Sequence, residues 1–139
     1  MQPHQASCVA IDGRAVLIEG PPGIGKSSLA LALIDRGAQL IGDDSVMLTA
    51  VAGRLYAQPH PNTRGLIEVR NIGLLSFPVC ERATAALVIR LTKDAPRFIE
   101  AAQTVEMNEF ILPMIMLYPN SNILALRAEL ALEQYGLPN

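Results

Sequence analysis

A glycine-rich loop constrains this sequence more than any other feature. Residues Gly20–Ser27 read Gly-Pro-Pro-Gly-Ile-Gly-Lys-Ser and match the pattern G-x-x-x-x-G-K-[ST] at every fixed position. Glycines let several backbone N–H groups converge on one phosphate, and a following helix adds the positive end of its dipole. Lys26 offers a cation to the β- and γ-phosphates, and Ser27 offers a hydroxyl to Mg²⁺. The predicted nucleotide-binding residues are Gly20, Pro21, Pro22, Gly23, Ile24, Gly25, Lys26, Ser27 and Ser28.

The residues on either side place this loop between a strand and a helix. Cys8–Ile11 and Ala15–Glu19 are apolar runs separated by Asp12-Gly13, a pair typical of a two-residue β-hairpin turn. The pattern from Lys26 to about Arg36 predicts a helix that is apolar on nearly every side, packs against a sheet and ends at Gly37. A chance Gly/Pro loop would not require this setting, so we interpret the loop as a true phosphate-binding loop.

The rest of the chain predicts more strands than helices. A short helix is expected from Pro96 to about Ala102, and a final helix, capped by Asn120 or Ser121, runs to about Tyr135. The leucines of that last helix, expected as its buried stripe, are Leu124, Leu126, Leu130 and Leu132. The predicted strands are Gln39–Gly42, Val46–Val51, Arg54–Gln58, Leu66–Arg70, Ala83–Leu91, Thr104–Met107 and Ile111–Leu117. The layout is that of a single α/β domain over residues 1–139.

Composition and charge exclude several classes of function. A net charge of −2 and a pI near 5.6 give no electrostatic footprint for nucleic acid. No apolar stretch approaches the ~18 residues of a membrane span, and the polar start Met1–Ser7 does not resemble a signal peptide. Cys8 and Cys80 belong to no metal-binding pattern and are expected as buried thiols. We therefore expect a cytoplasmic protein with no nucleic-acid or membrane partner.

Acidic residues supply the candidates for metal binding and catalysis. Asp43 and Asp44 follow a predicted strand, which is the usual place for functional side chains in an α/β sheet. Two adjacent carboxylates repel one another, which favours a bound metal or one raised pKa, although a simple Asp-Asp turn is the alternative. Glu68 and Arg70 share a strand face, where a solvated ion pair is the simpler interpretation. His4 by itself would be an ordinary surface histidine.

Together these pieces resemble the catalytic domain of the HPr kinase/phosphorylase family, bacterial serine kinases that modify the phosphocarrier HPr. The resemblance rests on four motifs in order over His4–Leu75: the start from His4 to Val9, the phosphate loop with its helix, Leu40–Val46, and Ile67–Leu74. It implies a P-loop domain with a mixed β-sheet flanked by helices, and a short form of the family without the N-terminal domain. It also implies ATP and Mg²⁺ as cofactors, an HPr-like protein as substrate, and assembly as a homo-oligomer, commonly a hexamer.

The resemblance assigns roles to the candidate residues. Asp44 corresponds to the aspartate that takes the proton from the acceptor serine, and His4 to a histidine that assists it. Lys26 corresponds to the loop lysine, and Arg97 to an active-site arginine. The implied metal ligands are Ser27, Asp43 and Glu68.

Several departures from the family pattern bear on function. Asn71 stands where the signature has a glycine, and Ser28 where an acidic residue usually follows. The family's Pro-Arg-Pro-Gly-Arg segment, associated with the phosphorylase direction, is absent after Ile99, and Pro113–Pro119 carries no cation. We therefore expect kinase chemistry without efficient phosphorylase activity. The alternatives are an ATP-binding regulator that transfers no phosphate and a small-molecule kinase, although no arginine-rich lid follows Asn71.

Overall fold

The computed structural model describes residues 1–139 and contains eleven strands and two helices. The strands are β1 (Gln2–His4), β2 (Ser7–Ile11), β3 (Arg14–Glu19), β4 (Gln39–Gly42), β5 (Val46–Val51), β6 (Arg54–Pro59), β7 (Leu66–Val69), β8 (Gly73–Ser76), β9 (Ala83–Leu91), β10 (Gln103–Met107) and β11 (Phe110–Leu117). The helices are α1 (Lys26–Asp35) and α2 (Leu124–Tyr135). Neither helix combines the length and the apolar character that crossing a bilayer requires.

One nine-stranded mixed sheet organises the domain. Its main path is β1-β5-β6-β9-β3-β2-β4, and β11 joins β9 while β10 joins β11. The centre is parallel, because β9 runs parallel to both β3 and β11. The predicted β2–β3 hairpin is confirmed: Asp12 and Gly13 have φ of 50° and 81°, the left-handed values that a tight hairpin turn requires. The predicted α/β class with a mixed sheet is confirmed as well.

Two apolar clusters divide the core between the two faces of the sheet. On one face, Val16 and Ile18 of β3 pack with Leu29 and Leu33 of α1 and with Leu132 of α2. The alternate residues of β3 point into the second cluster, as the period of a strand requires. The second cluster contains residues of β2, β4, β5 and β6. Strand β4 is at one end of the sheet path and β5 is near the other, so the two ends contact the same cluster. The sheet therefore curves, and both helices cover its other face.

Two expectations about elements are wrong, and two strands were missed. No helix forms from Pro96 to Ala102, where the chain is irregular; a segment of this length makes too few helical hydrogen bonds to offset the cost of nucleation. Helix α2 begins at Leu124 with Ile123 as N-cap and no side-chain cap, although Ser121 Oγ accepts a bond from the Ile123 N–H at 3.2 Å. Strands β1 and β8 were not expected at all.

Among the cysteines, both expected as buried thiols, Cys8 is buried whereas Cys80 is only half-buried.

The stripe predicted for α2 is also wrong in part. Leu126 and Leu130 are 39% and 52% exposed, whereas Ala128, Ala131 and Leu132 are buried. Residues spaced by four, seven and eight positions share one helix face, and Leu124, Ala128, Ala131 and Leu132 have that spacing. The alanines therefore lie against the sheet, while two of the four leucines face outward.

Candidate active site

The candidate site lies at one edge of the sheet, where two strands end side by side. Strand β2 is antiparallel to both β3 and β4, so β3 and β4 run in the same direction. Their carboxyl ends therefore meet at one edge. The phosphate loop follows β3, and Asp43-Asp44 follow β4. Strand order alone brings the predicted phosphate and metal ligands together.

The loop has the backbone expected of an anion-binding turn. Gly25 is the N-cap of α1 with φ of 118°, a conformation that residues with a side chain rarely adopt. The positive end of the helix dipole and its unpaired N–H groups therefore point into the loop. Lys26 Nζ donates to the carbonyls of Gly20 at 2.8 Å and Pro21 at 3.2 Å. The ammonium is thus held by the backbone carbonyls at the start of the loop.

Asp43 is the hydrogen-bonding centre of the site. Its Oδ1 accepts from Ser27 Oγ at 2.7 Å and from Ser7 Oγ at 2.8 Å. The acidic residue after β4 is therefore connected directly to the first turn of α1. This contact joins two of the three predicted metal ligands.

Gly42 fixes the turn that carries the acidic pair. A Cβ atom at Gly42 would lie 2.6 Å from the Ser45 carbonyl oxygen and 2.7 Å from Val46 Cγ1, so only glycine lets the chain fold back this closely. Asp44 follows with φ of 68°, in the left-handed region that aspartate tolerates better than most residues. Asp44 is exposed, and no ion pair in the structure involves it. Its carboxylate is thus open to an incoming group.

A polar cleft of about 750 Å³ brings most of the predicted site residues together. The β7–β8 hairpin, which is separate from the main sheet, forms one wall with Glu68 and Arg70. The phosphate loop, the acidic pair and Ser7 of β2 form the rest. The predicted site residues in the cleft are Pro22, Gly23, Gly25, Lys26, Ser27, Ser28, Asp43, Asp44 and Glu68. Gly20 and Pro21 instead line a neighbouring cavity with Arg90 and Lys93, together with Ile24.

Asn71 keeps the backbone that its position in the hairpin demands. It has φ of 73° in the turn between β7 and β8. Asparagine is among the few residues other than glycine that adopt this region readily. The replacement of the signature glycine is therefore compatible with the shape of this cleft wall.

The residues of the cleft fit a divalent cation of the magnesium type. Three carboxylates (Asp43, Asp44, Glu68) outnumber two cations (Lys26, Arg70) in the lining, so a polyphosphate would be repelled without a counter-ion. No group of three or more His, Cys, Asp or Glu side chains is assembled to hold a metal by itself. Mg²⁺ needs no such cage, because it is usually bound through one or two carboxylates together with phosphate oxygens and water.

His4 does not line this cleft. Its Nε2 lies 2.7 Å from Glu19 Oε2, and Arg90 Nη2 lies 3.3 Å from Glu19 Oε1. The hydrogen bond from His4, with a smaller contribution from Arg90, lowers the pKa of Glu19 although burial opposes this. The ionised carboxylate accepts the bond, so Nε2 carries the proton. The imidazole is therefore bound to Glu19 and not to Asp44, and assistance to Asp44 stays a prediction.

Arg97 is also outside the cleft. It lines a second cavity of about 720 Å³ with residues of β11 and α2, including Leu117 and Leu130. The chain leaves β9 beside the phosphate loop at Leu91–Lys93 and then turns towards α2, which carries Arg97 away. The structure gives no contact between Arg97 and the predicted triphosphate site.

Two residues of the site were missed from the sequence. Ser7 binds Asp43, and Glu19 binds His4. The available signal for Ser7 was a lone hydroxyl at the start of the apolar strand β2. Glu19 is the last residue of β3 and stands directly before the loop, and this position was the available signal.

The chain is similar to proteins of one family. A family model described as HPr Serine kinase C-terminal domain matches residues 2–108. The HPr kinase/phosphorylase of Mycoplasma mycoides subsp. mycoides SC is 44% identical over 74 residues, which cover 53% of this chain and 24% of that protein. That of Nitrosomonas europaea is 36% identical over 111 residues, which cover 72% and 34%. The chain thus spans about a quarter to a third of the length of these relatives.

A solved structure extends the similarity to nearly the whole chain. The Hpr(Ser) kinase/phosphatase from Coxiella burnetii superposes with a TM-score of 0.84 at 29% sequence identity. The match covers 96% of this chain and 90% of that one. The fold therefore agrees with the resemblance that the four motifs predicted. The chain belongs to the HPr serine kinase C-terminal domain family.

Proposed function

We propose that this chain is an ATP- and Mg²⁺-dependent kinase domain that phosphorylates a serine of HPr or a related phosphocarrier protein. The observation that carries the proposal is the single cleft that contains most of the loop residues together with Asp43, Asp44 and Glu68. The relatives named HPr kinase/phosphorylase support the acceptor. The acceptor is a proposal because the chain spans only part of those proteins.

The chain's own residues divide the work of phosphoryl transfer. Lys26, now bonded to the loop carbonyls, moves to the β- and γ-phosphates when the triphosphate enters. The N–H groups at the start of α1 fix the same phosphates, so the γ-phosphorus faces the open side of the cleft. Most of the rate acceleration then comes from positioning and from neutralised charge.

Asp44 is the proposed general base. Its free carboxylate accepts the proton of the serine hydroxyl as the serine oxygen bonds to the γ-phosphorus, and the bond from that phosphorus to the bridging oxygen of ADP breaks. The products are phosphoserine, ADP and a protonated Asp44, which returns its proton to solvent. Its exposure and lack of an ion pair support this assignment.

Ser27, Asp43 and Glu68 would hold the magnesium ion. When bound, the ion supplies charge neutralisation at the β- and γ-phosphate oxygens. Ser27 and Asp43 are already in contact, and Glu68 lies on the hairpin wall of the same cleft. These positions support binding of the triphosphate end of the nucleotide between α1 and the β7–β8 hairpin.

The forward reaction is proposed as the dominant direction. The reverse reaction needs a cation for inorganic phosphate. Pro113–Pro119 supplies none, and its residues up to Leu117 belong to β11, where Met114 and Ile115 are buried. This segment therefore serves the core.

Phosphate transfer from ATP to purified HPr, read by intact mass, tests the proposal. Asp44→Asn is the matched variant, because it removes the base while keeping the size of the side chain. We expect the wild-type chain to add one phosphate to HPr and the variant to bind MgATP but transfer far more slowly. Nucleotide binding without any transfer by the wild type would favour the alternative, an ATP-binding regulator.

A further inference from the structure

Ser7 is unusual among the core residues. It is 1% exposed and is the only polar or charged residue in the buried core. A buried hydroxyl is costly unless it is hydrogen-bonded. A strand that otherwise contributes Cys8, Val9 and Ala10 to the core would be better served there by an apolar side chain. Packing alone therefore does not explain why a hydroxyl stands at this position.

The pairing of β2 with β4 brings Ser7 to Asp43. Cys8 lies opposite Gly42, so the preceding residue of β2 meets the residue that follows β4. An irregularity in the pairing at Cys8/Val9 shifts the register beside this contact. Ser7 Oγ donates to Asp43 Oδ1 at 2.8 Å, and the same oxygen accepts from Ser27 Oγ at 2.7 Å.

The two donors leave the carboxylate with distinct oxygens. Oδ1 of Asp43 accepts both of these hydrogen bonds, whereas no side-chain donor contacts Oδ2. Asp43 also lines the cleft. If Ser27 turns its oxygen towards a metal, its bond to Asp43 is weakened or re-formed. Ser7 belongs to strand β2 and is not a predicted metal ligand, so it does not have to turn towards a metal. It is the donor that holds Asp43 in place.

We propose that Ser7 is a positioning residue that orients Asp43 for binding the metal–nucleotide complex. The inference rests on the proposed function, because it assigns Asp43 to the cation. Residues that orient metal ligands typically change metal affinity by about 10- to 100-fold when they are removed. Ser7 belongs to the lining of the cleft but is only 1% exposed, so its proposed role is exerted through its hydrogen bond to Asp43.

Nucleotide binding measured with Mg²⁺ and again with EDTA tests this role. Ser7→Ala should weaken MgADP binding and raise the Mg²⁺ concentration for half-saturation by about 10-fold or more, with metal-free ADP binding unchanged. Ser7→Thr, which keeps the hydroxyl, should restore the wild-type value. If either variant fails to fold, Ser7→Cys is measured in its place, because its side chain is similar in size and its thiol is only a weak hydrogen-bond donor.

Two controls separate positioning from a structural role. Thr49 of β5 donates from its hydroxyl to Gln58 Oε1 at 2.7 Å and does not line the cleft. Thr49→Val removes this hydroxyl and should leave the Mg²⁺ dependence unchanged. In an Asp43→Asn background, Ser7→Ala should have no further effect on Mg²⁺ dependence. Equal loss of ADP binding with and without Mg²⁺, or an undiminished effect in that background, would overturn the proposal.

The outcomes also distinguish this inference from the proposed function. A wild-type chain that binds MgADP tightly but never phosphorylates HPr refutes the kinase proposal and leaves the role of Ser7 supported by the binding data. A wild-type chain that phosphorylates HPr, with Ser7→Ala showing an unchanged Mg²⁺ requirement, refutes only the role of Ser7.

Discussion

Replacing Gly42 with alanine tests whether the turn after β4 sets the geometry of the acidic pair. Gly42 is buried, and an added Cβ would lie 2.6 Å from the backbone oxygen of Ser45 and 2.7 Å from Val46 Cγ1. Real Cβ atoms do not approach a backbone oxygen that closely, so the turn must open. Asp43 and Asp44 lie inside this turn and must move with it.

The expected loss of stability follows from two opposing effects. Gly42 does not have a positive φ, so alanine restricts the unfolded chain and contributes about 0.4–1 kcal/mol of stability. Overpacking in a well-packed core costs about 1–3 kcal/mol, and the clash with backbone places this site towards the upper end. The net loss is about 1–2 kcal/mol, which lowers Tm by roughly 3–10 °C for a chain of this length.

Thermal unfolding and MgATP binding should be measured on the same Gly42→Ala sample. Gly53→Ala is the matched control, since Gly53 has φ of 78° but no atom within 4 Å of an added Cβ. That variant should lose about 1–2 kcal/mol through backbone strain alone and should keep full binding. We expect Gly42→Ala to lose metal-dependent binding while it remains folded. Full binding by Gly42→Ala would refute the link between the turn and the site.

Other substitutions have equally specific expected outcomes. Lys26→Ala should weaken ATP binding by about 10- to 100-fold through loss of a charge-assisted hydrogen bond, as isothermal titration would show; unchanged affinity would exclude the loop as the phosphate site. Asn71→Ala should unfold about 1 kcal/mol more easily than Asn71→Gly because of its left-handed φ, and equal denaturant midpoints would contradict this. Glu19→Gln should be less stable than wild type at neutral pH, because the pKa of Glu19 is lowered from its ordinary value of 4.5 by His4. The ionised Glu19 contributes its full stabilisation above pH 4.5 and loses it as the pH falls through the lowered pKa. If the difference in unfolding free energy between wild type and Glu19→Gln stays constant down to strongly acidic pH, the pairing with His4 is contradicted.

Local sequence signals predicted the elements whose structure is determined locally. The phosphate loop, the Asp-Gly hairpin turn and the helix ending at Gly37 each have a backbone requirement that only certain residues meet, as the positive φ of Gly13 and Gly37 shows. Strand β9 was predicted with its observed bounds, Ala83–Leu91, because it is a long apolar run that is buried on both faces.

Features that depend on tertiary contacts could not be predicted in the same way. Strand β1 exists because it pairs with β5, and its three residues carry no strand pattern of their own. The face of α2 that is buried depends on where β11 lies, so the leucines gave the wrong stripe. The partner of His4 depends on the curvature of the sheet, which brings β1 close to the end of β3.

The candidate site shows the same division. The residues named from motifs that line one cleft are Lys26, Ser27, Asp43, Asp44 and Glu68. Strand direction brings the ends of β3 and β4 together with the first four, and the separate β7–β8 hairpin adds Glu68. Ser7 was not named, because a single serine in a strand has no meaning until its partner is known.

Transfer of phosphate from ATP to HPr is the most direct test of the proposed kinase activity. The assay follows the intact mass of HPr over time with the wild-type chain and with Asp44→Asn, after MgATP binding has been verified for both. We expect one added phosphate on a serine of HPr with the wild type, and a rate reduced by orders of magnitude with the variant. A wild-type chain that binds MgATP but leaves HPr unmodified, or an Asp44→Asn variant that retains the full rate, would contradict it.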